Sequence, residues 1–91
     1  MQEGELIEAI AERADVSKKD ADLILTAALD TIMDAVSEGE KVSLVGFGSF
    51  EKLHRKAREG RNPQTGETLT IAATDVPAFS AGKAFKEEVA G

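Results

Sequence analysis

The chain has 91 residues, 42% of them hydrophobic and 31% charged, and its seventeen acidic and eleven basic side chains give a net charge of −6. That length allows one small domain, and the absence of Cys excludes disulfides and thiolate–metal sites. No apolar run approaches the length of a membrane span and the acidic N-terminus does not resemble a signal peptide, so a soluble cytoplasmic protein is expected.

Residues 3–14 repeat apolar side chains at helical spacing, with Leu6, Ile7, Ile10, Ala11 and Ala14 on one side. Glu3 and Glu5 fall in the first turn, where carboxylates favour the helix dipole. Asp15 and Val16 interrupt the pattern. Ser17 then reads as an N-cap with Asp20 three residues on, a variant of the capping box, and Val16 stands where a hydrophobic staple would. A second helix is expected from Lys18 to Glu38, burying Ile24, Leu25, Ala28, Leu29, Ile32, Met33 and Val36, with Gly39 as the residue that ends it. Its acidic outer face and apolar inner face suit a packing layer rather than a groove-reading helix.

From Lys41 the period changes to two. Val42 and Leu44 alternate with Lys41 and Ser43, and Gly46 and Gly48 make a tight reversal around Phe47. Strand is expected to resume at Ser49 and continue to about Gly60. A return strand runs from Glu67 to about Val76, where Pro77 ends the pairing or sits at an edge. A short helix from Ala81 to Ala90, with Ser80 as cap, closes the chain. The fold class is therefore α+β: a helical base (1–40), a sheet with a β-ribbon arm whose tip lies near 60–66 (41–80), and a C-terminal helix (81–91).

Charge is divided unevenly along the chain. Residues 1–40 carry eleven acidic and three basic groups, a net of −8, whereas residues 41–91 carry eight basic and six acidic groups, a net of +2. Over a Debye length of about 8 Å, local charge matters more than the total. The segment 52–61 holds Lys52, Arg55, Lys56, Arg58 and Arg61 against Glu59 alone. Arginine suits phosphate because its planar donors bind two oxygens at once. The Asn62-Pro63-Gln64-Thr65-Gly66 tip adds a rigid, apolar proline, a shape able to wedge between base pairs.

Each of these signals has a plainer reading. Charged residues also protect an exposed sheet edge, and proline is common in turns. The conjunction on one ribbon favours duplex DNA as partner. Phe47, Phe50, Phe79 and Phe85 lie outside the basic segment and read as core. An enzyme is not indicated. His54, the sole histidine, has no carboxylate at a suggestive spacing, no cluster has metal-ligand spacing, and no cofactor or small-molecule substrate is implied.

The blocks VGFGSF (45–50), GRNPQTG (60–66) and VPAFSAGKAFK (76–86) strongly resemble the bacterial histone-like HU proteins, relatives of integration host factor. The resemblance covers nearly the whole chain. It implies an intertwined homodimer with a helical base, a three-stranded antiparallel sheet and paired β-arms that enter the DNA minor groove. By position, Pro63 resembles the intercalating proline, Arg55, Arg58 and Arg61 match arm positions that contact phosphate and sugar, Asn62 and Gln64 belong to the tip, and Lys83 and Lys86 match basic positions near the sheet. Lys52 and Lys56 complete the expected DNA-binding set. The implied function is binding, bending and compaction of duplex DNA with little sequence preference, in the nucleoid. A sequence-preferring bender like integration host factor, or an acidic protein-interaction scaffold with weak DNA binding, are the alternatives.

Three departures from the family pattern lower the expected affinity: Glu3 stands where lysine is common, and Glu67 and Thr70 occupy arm positions that are often basic. Weaker binding or a smaller contacted site than is usual, with more dependence on prebent or flexible DNA, is expected.

Overall fold

A computed structural model describes all of residues 1–91. The chain forms two compact units, Met1–Asp34 and Ala35–Gly91.

In the first unit, α1 (Glu3–Ala14) stops as the spacing predicts. Asp15 adopts the left-handed conformation (φ 57°), and the amides of Asp15 and Val16 return to the carbonyls of Glu12 and Ala11. This closure uses two of the four carbonyls left free at the end of the helix, with aspartate where glycine is usual. α2 (Lys18–Ser37) begins at Ser17, whose Oγ accepts the Asp20 amide at 3.1 Å. The capping half of the expected box is thus formed. Lys18 Nζ meets Glu8 Oε1 at 2.7 Å and ties the start of α2 to α1.

The expected burial along α2 is only partly achieved within one chain. Val36 is buried and Leu25 and Ile32 are half-buried, but Ala28 and Leu29 are exposed, as are Ile24 and Met33 at 62% and 60%. The apolar face is present, as the periodicity requires; the surface to cover it is not.

The second unit opens on the end of α2. Gly39 has φ 91°, and the amides of Gly39 and Glu40 bond to the carbonyls of Val36 and Ala35, the same closure as at Asp15. β1 (Val42–Leu44) and β2 (Gly48–Arg55) are joined by a turn in which the Phe47 amide bonds to the Leu44 carbonyl and Gly46 takes φ 81°. β5 (Thr74–Ala81) pairs with the other side of β2, giving the antiparallel order β1-β2-β5. Pro77 does not end this pairing: it lies opposite Lys52 in an edge strand that runs on to Ala81. An edge tolerates proline because its missing N–H costs no second ladder. The four phenylalanines cluster, with Phe47 stacked on Phe85 at 5.3 Å and Phe50 tilted against Phe79 at 4.8 Å.

The C-terminal helix α3 (Lys83–Ala90) starts two residues later than expected. Ser80 is paired with Ser49 in the sheet, so it is not the cap; Gly82 takes that position without a side-chain bond. The Gly82 amide donates to the Phe47 carbonyl at 2.8 Å, and a side chain there would press on the Phe47 backbone.

Between β2 and β5 the hairpin continues as a separate two-stranded ladder, β3 (Arg58–Arg61) with β4 (Thr68–Ile71). The expected unbroken strands are each interrupted, at 56–57 and 72–73. Three of those four residues are alanines, which offer little cross-strand contact to hold a ladder.

Candidate nucleic-acid interface

The register is symmetrical about the tip. Arg61 faces Thr68, Arg58 faces Ile71 and Arg55 faces Thr74, so equal numbers of residues separate each pair from the turn despite the interruption. The tip is built by Asn62. Its amide donates to the Glu67 carbonyl, its carbonyl accepts the Gly66 amide at 2.7 Å, and its Oδ1 accepts the Gln64 amide at 2.9 Å. The Asn62 side chain therefore shapes the loop. Gly66 supplies the positive φ (74°) that closes it. Pro63 and Gln64 stand exposed on this frame.

Arg55, Lys56, Arg58 and Arg61 are all exposed, and none forms an ion pair or hydrogen bond with a carboxylate of its own chain. Alternation on the ladder separates two of them. Arg58 shares a face with Gly60, Leu69 and Ile71, while Arg61 shares the other with Glu59, Thr68 and Thr70. The third-residue spacing thus offers cations on both faces of the ribbon rather than along one. Ile71 Cδ1 lies over Gly60, where an added Cβ would come within 3.3 Å.

Lys52 departs from the expected pattern. Its ammonium donates to the Ser37 carbonyl at 3.2 Å, lies 3.6 Å from Asp75 Oδ2, and leaves the side chain only 36% exposed. It serves the junction between the end of α2 and the sheet. Lys83 and Lys86 are exposed on α3, Lys83 within 3.9 Å of Glu87 one turn on. Such an exposed pair holds its partners loosely.

His54 also differs from its sequence reading, because it does have a carboxylate partner. It faces Asp75 across β2 and β5, with Nδ1 2.8 Å from Oδ1. Counting equal distances from an Asn62–Glu67 tip finds this pair; linear spacing along the chain does not. The His54 hydrogen bond holds the Asp75 carboxyl below its usual range, opposed by partial burial and reinforced by the Lys52 charge.

No helix is long and apolar enough to cross a membrane. Residues 1–90 match the family model described as bacterial DNA-binding protein. The DNA-binding protein HU of a Nostoc species is 67% identical over 90 residues, covering 99% of this chain and 96% of that protein. DNA-binding protein HU 1 of Bacillus subtilis is 54% identical over 91 residues, covering 100% and 99%. Among solved structures, the Anabaena HU–DNA cocrystal structure superposes with a TM-score of 0.93 at 67% identity, covering 99% of this chain and 98% of that one. HU from Thermotoga maritima superposes at 0.69 with 39% identity and 98% coverage of both. The free cations, the hairpin tip and the sheet register thus sit in a chain matched over almost its full length, and this protein belongs to the bacterial DNA-binding protein family.

Proposed function

We propose that the chain acts as a homodimer that binds double-stranded DNA with little sequence preference and bends it, as an architectural protein of the bacterial nucleoid. The observation that carries this reading is the set of four unpaired basic side chains on the β-ribbon, in a protein whose carboxylates dominate elsewhere. A ribbon with cations on both faces can address the two phosphate strands that border a groove. Such contacts position the protein without reading sequence. The agreement with the Anabaena HU–DNA cocrystal structure supports the same partner.

Arg55, Lys56, Arg58 and Arg61 are the phosphate and sugar contacts in this reading, Pro63 the wedge at a base step, Gln64 its neighbour at the tip, and Lys83 and Lys86 supplementary contacts. Asn62 acts through the loop it builds, and Lys52 is the weakest member of the set. Unstacking a base step costs a few kcal/mol, offset by the larger surface that bent DNA can touch. Chemistry on a substrate forms no part of the reading.

The dimer follows from the exposed apolar surface. Leu23, Ile24, Leu29 and Met33 on α2, and Leu44, Phe47 and Phe79 on the sheet, are large side chains left open in one chain. A second copy covers such surfaces. Stability linked to association rises with protein concentration. The melting temperature is therefore expected to climb as the protein is concentrated, and a value constant over a wide concentration range would count against the dimer.

The DNA reading is tested by mobility shift over a salt series, where affinity should fall steeply as salt displaces the protein from phosphate. Salt-insensitive binding would sink it. Pro63→Ala should lower the bend measured by fluorescence transfer between duplex ends more than it lowers affinity. An unchanged bend would remove the wedge.

A further inference from the structure

We propose that His54, bonded to Asp75 at the root of the β-ribbon, is a proton-dependent DNA contact that strengthens binding as pH falls. The inference rests on the DNA-binding reading above and adds pH control to that interface. Its geometry is specific. His54 Nδ1 lies 2.8 Å from Asp75 Oδ1, and the imidazole side chain is 63% exposed, one residue before Arg55 and four before the ribbon ladder.

The hydrogen bond selects the neutral tautomer. Asp75 accepts only, so the proton of neutral imidazole belongs on Nδ1, and Nε2 carries a lone pair. A lone pair offers nothing to phosphate. Protonation adds an Nε2–H donor and one positive charge, while the Nδ1–H bond to Asp75 stays in place. The ring needs no rotation, because the same cross-strand bond serves both forms. Histidine is the side chain that makes this change between about pH 5 and 8.

The charges around the ring can be named. On β2, Lys52 shares the face of His54 and lies 3.6 Å from the second oxygen of Asp75; its ammonium is also tied to the Ser37 carbonyl at the end of α2. On β5, Asp75 is the partner. Arg55 follows on the opposite face. β1 ends its pairing at Phe50, so it brings no group alongside. At neutral histidine, Lys52 and Asp75 leave the cluster without net charge. A protonated His54 makes it cationic, beside the free Arg55.

The experiment measures affinity of the full-length protein for a nicked DNA duplex between about pH 5.5 and 8 at constant ionic strength. Wild type is expected to bind more tightly at the acid end, by about two- to fivefold for each added exposed charge contact, with a steeper salt dependence there. His54→Gln should flatten the profile. As the chain has one histidine, its imidazole NMR signal reports directly on the group. Its titration midpoint should rise on adding DNA, which needs no variant to fold. A pH-independent affinity, a His54→Gln profile equal to wild type, or a midpoint unmoved by DNA would overturn the inference. Absence of DNA binding at every pH and low salt would overturn the parent reading as well.

Discussion

Gly48 lies against the ring of Phe79, so close that a Cβ placed on it would come within 2.6 Å of Cζ. The same Cβ would meet the Ser80 carbonyl oxygen at 2.5 Å, and Gly48 has φ 158°. The β2–β5 ladder therefore begins at a residue that admits no side chain. The Phe79 ring could tilt, but the Ser80 backbone is held in the sheet. Gly48→Ala is expected to destabilise the protein by about 2–4 kcal/mol. Chemical denaturation at fixed protein concentration measures this, and a destabilisation below about 1 kcal/mol would show that the sheet yields there.

The two Schellman-type helix ends differ in one residue. Gly39 adopts φ 91° without strain, and Gly39→Ala should cost about 1 kcal/mol. Asp15 carries a side chain into the same region, at φ 57°. Asp15→Gly should therefore be neutral or stabilising by up to about 1 kcal/mol, whereas Asp15→Val should destabilise. Melting curves of the three variants give the ranking.

The unpaired arginines and the tethered lysine should behave differently on DNA. Arg58→Gln or Arg61→Gln removes a free cation, and the slope of log affinity against log salt should fall by about 0.9 for each phosphate that is no longer neutralised. Lys52→Gln removes an ammonium already engaged by Ser37 and Asp75. It should change the slope less and lower stability by under about 1 kcal/mol. Equal slope changes in all three variants would contradict the distinction.

Acid should weaken the fold through two carboxylates. The Lys18 hydrogen bond and charge hold Glu8 below its ordinary range, and the His54 bond does the same for Asp75. A carboxyl whose pKa is depressed in the folded state contributes stability that is complete above its unfolded pKa. That contribution fades as pH falls from about 4.5 through the lower folded value. Denaturation midpoints should decline over this range, and more shallowly in Glu8→Gln and Asp75→Asn.

Much of the architecture was legible in the chain because it rests on local rules. The 3.6-residue spacing of Leu6, Ile7 and Ile10 marks α1, Ser17 and Gly39 mark the ends of α2, and the change to period two at Lys41 marks the sheet. Each depends on neighbours within a few residues, where backbone geometry and capping act. The basic segment and its Asn-Pro tip are likewise contiguous, and the family blocks carried the expected partner.

What only the folded chain decided was pairing at a distance. Pro77 stays in the ladder because β5 is an edge, and Ser80 does not cap α3 because Ser49 pairs with it. His54 gains Asp75, 21 residues away, through the register of the hairpin. Lys52 is drawn from the basic run to the end of α2, while the arginines remain free. Composition counts all these groups alike; which charges are neutralised depends on which strands meet, and that is a property of tertiary structure.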